Sequence, residues 1–314
     1  MFSPLPVSLK GWFTNLLTKP FARRMALATA FLAAVGSAEL AVQAQQTGKP
    51  RAFFAADYEK KLAAVVNKDG TLGYRDAIGD IHDAQLLKNG NWLIQTAFTN
   101  VVEVDANGKQ VWKYEPDMSH GRIEIHAFRR LENGLTMIAE SGASRIVEVD
   151  RDGQVRHQIP LQVKKSDPHR DTRLVRMTPE GNYLVSHEAE FCVREYDRTG
   201  KVVWEYDVGS KLYSAVRLPN GNTLIGTGDG HRVLEVAKNK ETVWELREKD
   251  LEGVTLAWIT MVDRLPSGNT WVVNCHAGPG NPQILEVSPD KKVVWSFRDF
   301  ERFGNALPVA IPID

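Results

Sequence analysis

Asp197-Arg198-Thr199-Gly200-Lys201-Val202-Val203-Trp204 decides the fold, because its pattern returns along the chain at intervals of about 45 residues. A turn residue is followed seven positions later by an aromatic or imidazole side chain. The six pairs are Asn67 and Tyr74, Asp105 and Trp112, Asp150 and His157, Asp197 and Trp204, Ala237 and Trp244, and Ser288 and Trp295. Two positions before five of the six turn residues stands a glutamate: Glu103, Glu148, Glu195, Glu235 and Glu286, with Val65 the exception. Upstream of each glutamate lies a second marker, a tight polar turn between short apolar runs, as in Leu87-Lys88-Asn89-Gly90-Asn91 and Leu218-Pro219-Asn220-Gly221-Asn222. Asn-Gly in that setting is a hairpin signal, since glycine takes the positive φ that the turn requires.

Each copy therefore predicts four short antiparallel strands. A unit of that kind buries its faces only by stacking on neighbours in a ring. The expected fold is all-β, a six-bladed β-propeller of four-stranded antiparallel blades. The tryptophan column is expected to fill the gaps between blades. The first copy starts late, with Phe53–Asp57, Leu62–Val66 and Leu72–Tyr74 reading as second to fourth strands, while Asn305–Ile311 reads as a lone first strand. Pairing of these N- and C-terminal strands would complete one blade and remove the free sheet edges.

Residues 1–44 read as a signal peptide. Lys10, Lys19, Arg23 and Arg24 form a basic lead, Met25–Gly36 is an apolar run too short for a permanent span, and Val42-Gln43-Ala44 offers a small-residue cleavage site. The expected location is thus periplasmic or secreted, with residues 45–314 as a single propeller domain. Removing four basic residues and Glu39 takes the formal net charge from 0 to about −3. No basic patch for nucleic acid is visible, no membrane contact is expected beyond the signal segment, and the chain is read as a monomer. Cys192 and Cys275 fall in blades that are not neighbours, so two free thiols are expected rather than a disulfide.

The loops of a propeller alternate between the two faces of the disc, and seven of the eight histidines are expected on one face. His82 and His126 open first strands; the equivalent positions carry Thr172 or Arg173, Tyr213 and Thr260. His169, with His120, lies in a loop leading to a first strand; His187, His231 and His276 lie near loops joining second to third strands. Glu124, Glu140, Glu188, Asp229, Arg170 and Trp258 join them, giving a polar, partly aromatic funnel suited to a small anionic or sugar-like ligand. Three uses are open: a metal site, which no H-x-x-H-like spacing supports; nucleophilic or acid-base work by His82 or His126 beside Arg173; or a face that binds an envelope protein or polysaccharide without turnover. His82, His126 and Arg173 are read as catalytic. Thr172, Tyr213, Thr260, His169, His187, His231, His276 and Trp258 are read as ligand-binding, with no metal and no identified cofactor.

His82-Asp83-Ala84-Gln85-Leu86-Leu87-Lys88-Asn89-Gly90-Asn91-Trp92-Leu93 resembles the H-D-x-x-x-L-x-N-G-N-x-L segment of arylsulfotransferase-type propellers, which are exported six-bladed proteins. Asp105–Trp112 and Asp197–Trp204 are also similar to the tryptophan-docking motif of pyrroloquinoline-quinone-type propellers. The first resemblance implies sulfuryl transfer through a transiently sulfated channel histidine, helped by further histidines and an arginine. The positions that match are His82 and, by repeat equivalence, His126, with Arg173 placed by position.

Overall fold

The computed structural model describes residues 45–313, so the export segment expected over residues 1–44 lies outside the described residues. Six antiparallel sheets succeed one another along the chain as the blades of a β-propeller. Blade 2 holds Gln85–Leu86, Trp92–Ile94, Val101–Val104 and Gln110–Tyr114; blade 3 holds Glu124–Arg130, Thr136–Ser141, Arg145–Val149 and Val155–Pro160. Blade 4 is built from Val175–Met177, Tyr183–His187, Cys192–Tyr196 and Val202–Asp207, and blade 5 from Ser214–Arg217, Thr223–Gly226, Arg232–Val236 and Thr242–Arg247. Blade 6 comprises Trp258–Arg264, Thr270–Cys275, Ile284–Val287 and Val293–Arg298. The hairpin glycines Gly90, Gly134, Gly181, Gly221 and Gly268 take φ of 83–85°, the conformation that selects glycine there.

Blade 1 closes the ring as expected. Val309–Pro312 forms its inner strand against Phe53–Asp57, with Ala56 opposite Val309 and Phe53 opposite Pro312. The proline is tolerated because an inner strand has one unpaired edge. A second seam has no mark in the sequence: Gln45–Thr47 adds a fifth strand to the outer edge of blade 6, with Gln45 opposite Arg298 and Thr47 opposite Ser296. Three polar residues carry no alternation from which such a strand can be read.

The repeat markers hold blade to blade. In five blades the marker glutamate lies directly across the hairpin from the docking side chain, as in Glu103 opposite Trp112 and Glu195 opposite Trp204, and a bulge follows it. That bulge aims the ring at the next blade. Trp112, Trp204 and Trp244 each donate their indole N–H to the carbonyl of Arg151, Lys238 and Pro289, one residue past the next blade's turn marker. His157 meets the carbonyl of Arg198 in the same way. The glutamates run a parallel clamp: Glu103 holds Arg130 and Arg151, Glu148 holds Arg198, Glu195 holds Arg217, Glu235 holds Arg264 and Glu286 holds Arg51, each arginine coming from the following blade. The guanidinium groups of Arg130, Arg217 and Arg264 also lie 5.0–5.4 Å from the centroids of Trp112, Trp204 and Trp244. Sequence spacing exposed the glutamate column; only the register shows that it is an interblade ion pair.

Candidate histidine site at the channel mouth

The inner strands of the blades converge on a channel, and one mouth of it opens into a cavity of about 550 Å³. His82, His169, Arg173, Tyr213, Trp258, Thr260 and His276 line it, together with Arg170 and Glu188. These residues come from different blades and are brought together by the ring. The loops between second and third strands add Tyr58 and Phe98, two aromatic residues beyond those expected from the sequence, although they occupy the same kind of loop as His276. Tyr58 in fact touches His276, hydroxyl to Nε2, at 2.8 Å.

Three rings form the centre of the site. His82 is fixed on three sides: its backbone N–H donates to Gln95 Oε1 at 2.9 Å, Phe98 stacks on its ring with centroids 4.9 Å apart, and Nδ1 lies 2.8 Å from the Tyr213 hydroxyl. The Tyr213 hydroxyl also reaches the His82 carbonyl at 3.3 Å; in the tautomer in which it donates there, Nδ1 carries the hydrogen and Nε2 is bare. That Nε2 is buried and has no hydrogen-bond partner among the described residues. Burial, then the neighbouring His126, Arg173 and His169, hold the ring well below the ordinary imidazole range, which keeps it neutral. His126, on the inner strand of blade 3, is fully buried behind it, with the ring centroids 4.3 Å apart. Its Nδ1 donates to the Thr172 carbonyl at 2.6 Å, and its Nε2 stands 3.1 Å from Glu124 Oε2. His169, half exposed to the cavity, places Nδ1 2.8 Å from the same carboxylate oxygen.

Burial alone would push the Glu124 carboxyl up, but its hydrogen bonds and charge attraction to His126 and His169 outweigh this and hold it far below the usual carboxylate range. Burial likewise pulls His126 down to about 4 against the pull of Glu124. These two shifts are at odds, because the carboxylate is lowered by an imidazolium that burial disfavours. The geometry sides with an ionised Glu124, which also pairs with Arg122. A neutral His126 would then turn a lone pair toward a carboxylate, so a proton or another cation belongs between them.

The remaining expected residues fall into three places. Arg173, rather than Thr172, is the blade 4 residue whose side chain reaches the cavity; it pairs with Glu188 and lies over the Tyr213 ring at 5.7 Å. Thr172 contributes its carbonyl to His126 instead. His187 is buried outside the cavity, with Nδ1 donating to the Asp171 carbonyl at 2.7 Å and Nε2 2.9 Å from the Tyr196 hydroxyl. His231 serves its turn: it takes the left-handed conformation, φ 51°, that Lys61, Ser144 and Phe191 take before the third strands of blades 1, 3 and 4, and its Nδ1 meets the Leu256 carbonyl. Asp83, the second residue of the His-Asp pair, is wholly buried and binds Arg176 in a fork at 2.8 and 2.9 Å, with Arg129 2.7 Å away. It ties the inner strands of blades 3 and 4 together beneath the site. Cys275 lines the cavity and Cys192 is buried elsewhere; both are free thiols that burial keeps protonated, Cys192 being pushed up to about 11.

No family model matches the chain, and none of the curated proteins does. Among solved structures, a protein of unknown function from Bacteroides caccae superposes with a TM-score of 0.75 at 23% identity, covering 84% of this chain and 99% of that one. A streptogramin B lyase superposes with a TM-score of 0.60 at 8% identity, covering 86% of this chain and 98% of that one. A catalytically inactive variant of virginiamycin B lyase from Staphylococcus aureus, with quinupristin, gives 0.58 at 10% identity over 83% of this chain and 90% of its own. At these identities the likeness is one of fold: the chain is a six-bladed β-propeller.

Proposed function

We propose that the chain binds a small anionic ligand, of the size of a sulfate ester, sugar acid or sugar phosphate, in the cavity at its channel mouth. The observation that carries the reading is the composition of that wall. Arg170, Arg173 and Lys211 stand against the single carboxylate of Glu188, and Trp258, Tyr58 and Phe98 offer flat apolar surface. Arg170 is half exposed and Lys211 lies 5.6 Å over the Trp258 ring, so both can turn toward a ligand from pairings with surface carboxylates. Calorimetric titration of sulfate, 4-nitrophenyl sulfate, a hexuronate and a sugar phosphate tests it. Binding of at least one, weakened about tenfold in Arg170→Ala, is expected, since one charge-assisted hydrogen bond at a half-exposed site is worth about 1.4 kcal/mol. No heat across the set would overturn the reading.

Sulfuryl transfer is the catalytic form of this reading, supported by the neutral ring of His82, which lines the cavity and whose Nε2 is buried just behind the wall without a partner among the described residues. That atom would form an N–S bond as the S–O bond to the aryl oxide breaks; the acceptor oxygen would then form its own S–O bond as the N–S bond breaks, its proton ending on the released aryl oxide. His126 fits this role less well, because its ring is wholly buried and both nitrogens are engaged. Phenol-dependent release of 4-nitrophenol from 4-nitrophenyl sulfate that vanishes in His82→Ala is expected of a transferase. Binding without release would leave a ligand-binding propeller. Export through residues 1–44 belongs to the same proposal, and N-terminal sequencing of the protein from the cell envelope or medium, starting near residue 45, checks it.

A further inference from the structure

We propose that His82, His126 and His169 together hold a divalent first-row transition ion of the zinc type, with Glu124 at its side and an open coordination position toward the cavity. One nitrogen from each ring already lies within 4.8 Å of the others. Tetrahedral zinc with metal–nitrogen bonds of about 2.0–2.1 Å needs ligand atoms about 3.4 Å apart, so side-chain rotation of about 1.5 Å at most completes the set. The inference does not depend on the anionic ligand, because it rests on the rings and not on the cavity's cations; it is the alternative to sulfuryl transfer, since the one Nε2 lone pair of His82 cannot both bind a metal and attack sulfur.

Three separate features point to a cation. The first is the orphaned Nε2 of His82, on a ring 5% exposed, facing the cluster with its lone pair while Tyr213 and Phe98 fix the ring's orientation. A buried imidazole nitrogen without a partner is costly unless something fills the position. The second is the arrangement around His126, whose outer nitrogen donates to a backbone carbonyl, the support that a metal-bound histidine characteristically has. Its inner nitrogen faces the Glu124 carboxylate at 3.1 Å, an acceptor against an acceptor unless positive charge intervenes. The third is His169, whose Nδ1 is held by that carboxylate at 2.8 Å, a carboxylate–histidine pair of the kind that orients a ligand toward a metal.

Charge and access agree with this. Arg173 is the cation facing His82 and His126 that would oppose a metal, and Glu188 neutralises it at close range. Glu124 supplies the negative charge that offsets the ion, with Arg122 on its outer oxygen. His82 and His169 both border the cavity, so an ion reaches the site from solvent, and a donor set of three imidazoles selects zinc, copper or nickel over magnesium or calcium. Three protein ligands leave a fourth position for water or for a ligand oxygen. The histidines come from three successive blades, which is why no ligand spacing appears in the sequence.

The experiment uses the full chain, purified without chelator for elemental analysis, then stripped and titrated with zinc chloride by calorimetry and with cobalt(II) chloride by visible absorption. One zinc per chain is expected, with the d–d bands of a four- or five-coordinate cobalt site. His169→Ala is the variant of choice, since its half-exposed ring can be lost without emptying the core, and it should weaken zinc binding by at least about 100-fold while the metal-free protein melts unchanged. His82→Ala should abolish the cobalt spectrum. No stoichiometric zinc in either preparation, or binding indifferent to both substitutions, would overturn the site. Zinc binding is read without sulfate, sulfate ester, hexuronate or sugar phosphate and the anion titration is read on the stripped protein, so the failure of either proposal is seen by itself.

Discussion

His187 shows what a single buried ring does in this protein when it is removed from the cavity. Its two nitrogens are taken up by the Asp171 carbonyl and the Tyr196 hydroxyl, and burial pulls it from 6.5 to about 4. The unfolded chain binds a proton at this ring near pH 6.5 and the folded chain does not until about pH 4. Between those values the unfolded state holds more protons, so the stability His187 contributes is complete above about pH 6.5 and is lost as the pH falls, by about 3 kcal/mol in all. Urea unfolding at about pH 7.5 and about pH 4.5 should therefore show a smaller difference in His187→Gln than in the parent chain, by up to that amount. An identical difference in both would mean that the ring is not titrating as a buried group. Loop position alone places this residue among the ligand-facing histidines, because it does not show which way a side chain turns.

The clamp between blades belongs to the scale of elements. Glu195 and Arg217 are almost fully buried and 2.6 Å apart; Asn182 donates to the same carboxylate at 2.8 Å, and Arg217 lies over Trp204. Removing one member leaves an uncompensated charge at the seam. Arg217→Leu should lower the unfolding free energy by about 3 kcal/mol, against about 1 kcal/mol for Asn182→Ala, which removes one hydrogen bond to a charge that stays paired. Guanidinium denaturation of both variants and of Glu195→Gln/Arg217→Leu checks this, and the double variant should recover part of the loss because no charge is then stranded. The glutamate column was legible as a periodicity, and the Asn-Gly turns as hairpins. Their joint use as Asn-Glu-Arg clamps was not, because the arginines come from different positions in different copies: Arg217 and Arg264 end inner strands, while Arg151 and Arg198 sit in turns.

For the whole molecule, ring closure is the decisive contact, and it is made twice. Removing residues 309–314 deletes the inner strand of blade 1, with Val309 and Ala310 buried against Phe53–Asp57, and should lower the melting temperature by about 10 °C or more. Calorimetric melting of this truncation beside one lacking residues 45–47 should give the smaller fall for the latter, since Gln45–Thr47 adds only an outer edge strand. Equal melts for the C-terminal truncation and the intact chain would show that the ring does not depend on that strand. The sequence by itself determined the propeller, the number of blades and closure by a C-terminal strand, read over Asn305–Ile311 and formed by Val309–Pro312, because these follow from local periodicity: hairpin turns, alternating strands and a docking aromatic repeated at fixed spacing. It also raised the expectation of a histidine-bearing face. Only the tertiary structure decided which of those histidines meet. His82, His126 and His169 converge with Glu124 because the first strands of three successive blades, and the loops that enter them, meet around the channel, whereas His187 and His231 are turned into backbone contacts. Convergence of that kind depends on blade packing and side-chain direction across a ring, and no interval along the chain encodes it.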